Sequence, residues 1–477
     1  MAAVLNVPVE LILEVFKLLP RNDLIAVALS CKQWNRLATE LLYNTINFDF
    51  RSHLTVGQLS YLNEPNSPSL WRLVRTLVYN PVLGDHIRYL SFLGPVPLSF
   101  WPSGVHPDQN EIPEDFEYKC SKLVFLAADS HHIEIGEPFT FFAAILSACH
   151  NLRFLELDRN VFAPHGDINP YPLKAYKKHL VLRRQLTSEF YWRISRHYTL
   201  ESLIMTREVS MDADSSQDSG ICRLYGDLMR SVCTCRNLKK MKLYIGGDDE
   251  NQCWPIPDLP NMSELELHTK LDEYQLYEFI SALPNLKRLE LLYFYRQNRL
   301  ELEVLRQCLD SVQKLEVLRL RIEFHKHVGK YHFRCKSTPH LNHWRSFDGD
   351  RILGTLGTMK EFKHLNVLAI SPILLFGWDP ASASPLRHII PDHLKHLEFR
   401  SDMFQYKNFK WRVRDIPHFW ERAGNELEEL GIEAWRSEPF GEKDDLSLEE
   451  QFGDLYEVFG DDEEPPHLRS ARLVRWA

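Results

Sequence analysis

The sequence predicts an α/β solenoid: a short helical trio at the N-terminus, then an irregular array of repeats, each a parallel strand followed by an outer helix. Three observations predict it. Residues 5–43 carry apolar side chains at helical period, broken at Pro20. The pattern apolar-x-x-apolar-x-apolar recurs nine times between Leu152 and Ile432. Between recurrences lie helical stripes at i, i+3, i+4, i+7, such as Phe142, Ile145, Leu146 and Cys149, or Leu276, Phe279, Ile280 and Leu283. A strand-and-helix unit cannot bury its apolar face alone, so copies stack, with the parallel sheet inside and the helices outside.

The first helix begins near Pro8, which suits an opening helical position because its missing N–H would be unpaired there anyway. Glu10 and Glu14 favour the positive end of the helix dipole. Leu11, Val15, Leu18 and Leu19 form a wide apolar stripe, and Pro20 closes the segment. Asn22 or Asp23 is the expected cap of a second helix carrying Leu24, Val27, Ala28 and Leu29. Ser30 and Gln33 read as a capping box before a third helix with Trp34, Leu37, Leu41 and Leu42 on its apolar face. Three helices in about forty residues bury little surface, so some of these positions are expected to meet another chain.

The order and spacing of Val7, Pro8, Glu10, Leu11, Val15, Leu19, Pro20, Asp23, Leu24, Ser30, Cys31, Lys32, Trp34 and Leu37 resemble the F-box. The match spans about a twelfth of the chain, without a gap. What the resemblance implies is docking onto the Skp-type adaptor of a cullin-RING ubiquitin ligase, while the rest of the chain selects a protein substrate. The residues expected to touch the adaptor are Val7, Pro8, Leu11, Ile12, Val15, Leu24, Leu29 and Trp34. An ordinary helical cap of a solenoid is the alternative for the same trio.

Two runs after it, residues 71–80 and 87–94, read as degenerate first repeats ending in short β-like stretches. Seven glycines and prolines between Gly94 and Pro113 predict a long surface loop. The nine recurrences begin at Leu152, Leu200, Leu238, Met262, Leu286, Leu315, Leu365, Leu394 and Leu427, with steps of 48, 38, 24, 24, 29, 50, 29 and 33 residues. They resemble leucine-rich repeats, whose period is about 20–29 residues; the longer steps need insertions. The Asn or Cys that family places three positions after the last leucine is present only as Asn160, which puts the regularity of the turns in question. The expected organisation is a helical domain at 1–45, a transitional region at 46–130, a repeat array at 131–440 and an acidic capping segment at 441–477.

In such strands the residue between the last two apolar positions faces the open side of the sheet. Lys242 is thereby expected beside Glu266, and Glu290 beside Arg319, either as a substrate-selecting ladder or as mutually satisfied surface pairs. Residues 206–220 have the composition of a flexible loop. Residues 174–197 mix Lys and Arg with aromatic residues and read first as a basic surface helix, then as a grip for an acidic or phosphorylated segment or for nucleic acid. The His-rich run 325–343 and the cysteines Cys222, Cys233, Cys235 and Cys253 fit no common zinc spacing, and the cysteines fit small buried positions instead. Leu448, Phe452, Leu455, Tyr456 and Phe459 make one helical face suited to capping the array.

Composition limits the function classes. Hydrophobic residues make up 44% of 477, with no apolar run long enough for a membrane span and no basic lead to a signal peptide. Nine unpatterned cysteines suit a reducing compartment, hence cytoplasm or nucleus. Of the net charge of −9, residues 441–464 carry eleven acidic side chains against Lys443, so the remainder is near neutral and broad nucleic-acid binding is not expected. No Gly-x-Ser-x-Gly, phosphate-binding loop or His-Glu-x-x-His occurs. The expectation is a non-catalytic substrate receptor with no cofactor, no metal and no membrane partner; the alternative is an interaction scaffold that promotes no ubiquitylation.

Overall fold

The computed structural model describes residues 7–49, 67–93, 115–124, 138–158, 194, 197–206, 232–245, 256–269, 273–295, 300–324, 352–377, 384, 386–400, 429–433 and 470–474. The chain forms two compact units, residues 1–242 with 251–255, and residues 243–250 with 256–477.

The first unit opens with helices α1 (Val9–Lys17), α2 (Arg21–Ser30) and α3 (Lys32–Asn44). Their ends differ in detail from the sequence expectation. Pro8 sits at the N-cap of α1 rather than inside it, and Pro20 at the N-cap of α2, with no side-chain cap at either; Asn22 and Asp23 lie within the first turn. The Ser30–Gln33 capping box does not form. Ser30 ends α2 and donates its hydroxyl to the carbonyl of Val27 at 2.6 Å, so Cys31 becomes the N-cap of α3, its Sγ accepting from the Trp34 N–H at 3.5 Å.

Strand β1 (Thr45–Asp49) follows directly, then α4 (Ser67–Tyr79), a 3-10 turn (Pro81–His86), β2 (Tyr89–Leu93), α5 (Phe116–Val124), α6 (Pro138–Ala148), β3 (Phe154–Asp158), β4 (Ser202–Thr206) and β5 (Lys240–Ile245). The β-like ending expected at 71–80 is instead the C-terminal part of α4, because Val74 and Leu77 sit three apart on one buried helical face. The strand expected at 87–94 is present as β2. Pairing is parallel throughout, β1 to β2 to β3 to β4, and β4 to β5 over Lys240–Lys242.

The second unit contains β6 (Glu264–Thr269), α7 (Glu273–Ser281), β7 (Arg288–Tyr295), β8 (Leu300–Glu301), α8 (Leu302–Asp310), β9 (Val317–Phe324), β10 (Ile352–Leu353), β11 (Val367–Ile370), α9 (Pro372–Phe376), α10 (Leu386–Ile389), β12 (His396–Phe399), β13 (Glu429–Glu433) and β14 (Ser470–Val474). Strands β6, β7, β9, β11, β12, β13 and β14 pair in that order, all parallel, while β8 and β10 form a separate short pair.

Each of the nine recurrences is a strand, β3 to β7, β9 and β11 to β13. Their leucines point inward: Leu286, Leu289 and Leu291, like Leu315, Leu318 and Leu320, are buried, as are Leu276, Phe279 and Ile280 of α7 and Leu305 and Cys308 of α8. The alternation of buried and half-buried residues along β6 is the period-2 signature of a sheet with one covered face. These are leucine-rich-repeat-like units, with an N-terminal helical region before them.

The backbone at the turns is satisfied at a different place from the one expected. Before the first leucine of four of the strands, a short polar residue reaches back to a carbonyl of the preceding unit: Asn151 Nδ2 to Asp85 at 3.1 Å, Thr199 Oγ1 to Leu152 at 2.7 Å, Asn237 Nδ2 to Tyr198 at 2.5 Å and Asn285 Nδ2 to Pro260 at 2.8 Å. This ladder lies on the entry side of the strands and supplies the regularity that Asn160 alone could not. The loop 94–113, the insertions 207–220, 325–343 and most of 174–197, the position Asn160 and the tail 441–459 lie outside the described residues. Of residues 174–197, Ile194 and His197 are described, and both are buried.

Among the described residues no helix is long and apolar enough to cross a membrane.

Candidate functional site

Helix α1 carries two apolar stripes, and packing separates them. Ile12 and Phe16, four apart, face inward and join Leu24, Ala28, Leu37 and Ala38 in a small core, with Leu13, Leu19, Val27, Trp34, Leu41 and Leu42 around it. Phe16 meets the Trp34 ring edge-on, centroids 6.0 Å apart. The other stripe, Leu11, Val15 and Leu18, is left outside at 57%, 58% and 85% exposure. Helix α2 divides in the same way: Leu24 and Ala28 turn inward, Ile25 and Leu29 outward, Leu29 at 81% exposure. Asn35 Nδ2 donates to the Ala28 carbonyl at 2.9 Å and ties α3 to α2, so the outward face rests on a fixed backbone.

Of the residues expected to meet an adaptor, Val7, Pro8, Leu11, Val15 and Leu29 are exposed, and Trp34 is half-buried against the core. Ile12 and Leu24 are placed differently: both are buried in the trio's own core, where they support the surface rather than form it. Val9, Leu18 and Ile25 are exposed apolar residues that the sequence reading left out of the surface. The signal that finds them is simple: a nine-residue helix with apolar side chains on both sides can bury only one of them in so small a core. Five large apolar side chains exposed on two short helices, with Val7 and Leu18 at the ends of α1, are more than the scattered singles of an ordinary surface.

The open face of the strands is the second candidate. In the second unit the register sets Glu266, Glu290, Arg319, Ala369, Glu398, Gly431 and Arg472 side by side on successive strands. The expected neighbours Glu290 and Arg319 do pair: Arg319 Nη1 lies 3.9 Å from Glu290 Oε2, which Arg288 also approaches at 3.5 Å. Lys242 belongs to the first unit, and Glu266 in the second lies 3.0 Å from His268 Nε2. On the first unit's open face, Glu156 accepts from the Tyr89 hydroxyl at 2.5 Å and from Ser91 at 3.0 Å. Burial and that hydrogen bond together raise the Tyr89 pKa, so the phenol stays protonated.

Cys120, Cys149, Cys233, Cys235 and Cys308 are buried, and desolvation pushes each thiol up, Cys233 and Cys235 to about 12. Such protonated thiols are poor nucleophiles at neutral pH. No metal-binding cluster of His, Cys, Asp and Glu occurs among the described residues.

A family model described as F-box-like matches residues 4–49. The helical trio with its outward apolar face is thus an F-box-like domain, joined in one chain to leucine-rich-repeat-like strands; it defines a protein that mediates protein interaction. A comparison with curated proteins finds no match. Among solved structures, the leucine-rich repeat-containing protein LegL7 from Legionella pneumophila is similar at 12% identity, over 72% of this chain and 82% of that chain, with a TM-score of 0.30. At that score the likeness carries no weight, and the repeat assignment rests on the chain's own strands and register.

Proposed function

We propose that this chain is the substrate-recognition subunit of a cullin-RING ubiquitin ligase, working in the cytoplasm or nucleus. Its F-box-like helices dock onto a Skp-type adaptor and its strands hold the protein to be modified. The observation that carries the reading is the outward apolar face of α1 and α2, Leu11, Val15, Leu18, Ile25 and Leu29, in a segment matching the F-box-like model. Docking that face against an apolar groove recovers burial that forty residues cannot supply by themselves. The chain contributes no reacting group. It raises the effective concentration of substrate lysines near a ubiquitin-loaded enzyme held by other subunits.

Affinity capture of the full chain tests this. The expected result is recovery of a Skp-type adaptor together with a cullin, both lost in a Leu11→Ala, Leu29→Ala variant that folds normally, and substrates that accumulate when the proteasome is inhibited. Adaptor without cullin moves the conclusion to a non-catalytic scaffold. Neither protein recovered from the wild type overturns the proposal.

A further inference from the structure

The open face of the first unit carries one carboxylate that is tethered on one side only. On β2, β3 and β4 the residues that alternate with the buried Leu90, Phe92, Leu155, Leu157, Leu203 and Met205 stand in two rows across the strands. The first row is Tyr89, Phe154 and Ser202; the second is Ser91, Glu156 and Ile204. Glu156 is half-buried at the centre of the second row. Its Oε2 accepts from the Tyr89 hydroxyl at 2.5 Å and from the hydroxyl of the buried Ser91 at 3.0 Å. Among the described residues its Oε1 has neither a donor nor a cation beside it, and it is not shut away from water. The second unit differs: there Glu290 lies between Arg288 and Arg319, and Glu266 beside His268.

An aromatic ledge adjoins this carboxylate. Phe154, two residues before Glu156 on the same strand and the same face, is 41% exposed, and its ring lies 6.4 Å from that of Tyr89. Residues two apart on a strand are separated by about 7 Å. A cation that donates to Oε1 can therefore lie over the Phe154 ring, within the roughly 6 Å of a cation–π contact. Tyr89 and Ser91 fix the carboxylate before any partner arrives, so little side-chain freedom is left to lose on binding. The cations further along the two rows, Lys240 and Lys242, stand on β5, two strand spacings or about 10 Å from β3. Both have contacts of their own. They disfavour a run of positive charges on the partner and leave room for one.

We infer that Glu156, Phe154 and Tyr89 form a recognition site for a single arginine side chain of the partner protein. Its planar guanidinium stacks on Phe154 while one N–H donates to Glu156 Oε1, and its aliphatic stem lies along Ile204. An ammonium is more strongly hydrated and cannot stack, so lysine fits less well. The inference deepens the substrate-binding half of the proposed function and rests on it.

The test uses the purified full chain and three fluorescent pools of randomised peptides that differ only in the central residue, arginine, lysine or citrulline, read by polarisation. Citrulline keeps the shape of arginine without its charge. The arginine pool is expected to bind about tenfold more tightly than the citrulline pool, a difference of about 1.4 kcal/mol, with lysine between them. Glu156→Gln, whose amide oxygen still accepts from Tyr89 and Ser91, abolishes the preference with the circular dichroism unchanged; a merely structural Glu156 leaves it intact. Phe154→Leu keeps an apolar side chain and closes the gap between arginine and lysine. Tyr89→Phe releases the carboxylate and reduces the preference without reversing it. Equal binding of the arginine and citrulline pools, no binding by either, a preference that survives Glu156→Gln, or stronger competition by hexalysine than by the arginine pool overturns the inference. Adaptor capture is read in the same preparations: arginine preference lost with capture intact removes only this site, and capture lost with the preference intact removes only the ligase reading.

Discussion

Phe16 and Leu29 belong to the same apolar trio, yet their truncations have opposite consequences. Phe16 is 6% exposed and packs edge-on against Trp34, so Phe16→Ala leaves a cavity at the centre of the trio and costs about 3–5 kcal/mol. A core this small supplies about 3–5 kcal/mol in total, so the substitution melts α1 to α3. Leu29 is almost fully exposed, and Leu29→Ala changes the stability of the free chain by less than about 0.5 kcal/mol. Buried against an adaptor, however, a leucine contributes about 1.5–3 kcal/mol, and its truncation weakens binding roughly ten- to a hundredfold. Amide hydrogen exchange over residues 9–44 in the full chain, alongside adaptor titration, separates the two effects. Protection is lost across all three helices in Phe16→Ala and retained in Leu29→Ala, while adaptor affinity falls in both. Equal loss of protection in the two variants refutes the division into an inner and an outer face.

Other perturbations report on the rest of the fold. Gly84, in the 3-10 turn, approaches the end of α6 so closely that an added Cβ would lie 2.2 Å from the Ala148 carbonyl oxygen; Gly84→Ala therefore lowers stability by about 1–3 kcal/mol in urea denaturation. Arg306 on α8 donates to the carbonyls of Leu356, at 3.0 Å, and Thr358, and pairs with Asp310 and Glu361; Arg306→Met strands both carbonyls and destabilises the second unit by about 2–4 kcal/mol, and Arg306→Lys does not rescue it because an ammonium lacks the fork. Desolvation and its hydrogen bond to Asp115 push the Tyr79 phenol from 10.0 up to about 12, so the α4–α5 contact is intact below pH 10 and is lost as pH rises through about 12, with Asp115→Asn shifting the tyrosinate absorbance titration downward. Among the described cysteines Cys31 is exposed and the other five are buried, so mass mapping after brief maleimide treatment at neutral pH finds Cys31 labelled first, and the rest only in denaturant.

The repeats were legible because their signal is local. Leu286, Leu289 and Leu291 announce a strand by spacing alone, and Leu276, Phe279, Ile280 and Leu283 announce the helix before it. Strands β2 and β14 carry the same six-residue pattern, at Ile87, Leu90 and Phe92 and at Leu468, Ala471 and Leu473, and β1 carries it with a tyrosine, at Tyr43, Ile46 and Phe48; β2 was visible from its apolar run, whereas Tyr43 and Ala471 are weak apolar markers and hid the other two. The turn ladder was missed for a different reason. Asn151, Asn237 and Asn285 sit one residue ahead of their leucines, but their partners lie a whole repeat away. The helix caps failed at Ser30 because two adjacent residues competed for one end, and the helix was closed by the side chain that bonded backward to Val27.

The chain alone determined that an amphipathic trio precedes a series of parallel strands, because period 3.6 and period 2 are properties of neighbouring residues. It also determined that Glu290 and Arg319 would be neighbours, since a shared motif fixes the register. Only the tertiary structure decided that Ile12 and Phe16 turn inward while Leu11 and Val15 face out. All four are apolar, and the choice depends on which stripe meets Trp34 and Leu24. It alone decided, too, that Arg400 is buried beside Glu398, because that follows from what surrounds a side chain in space and not from what precedes it in sequence.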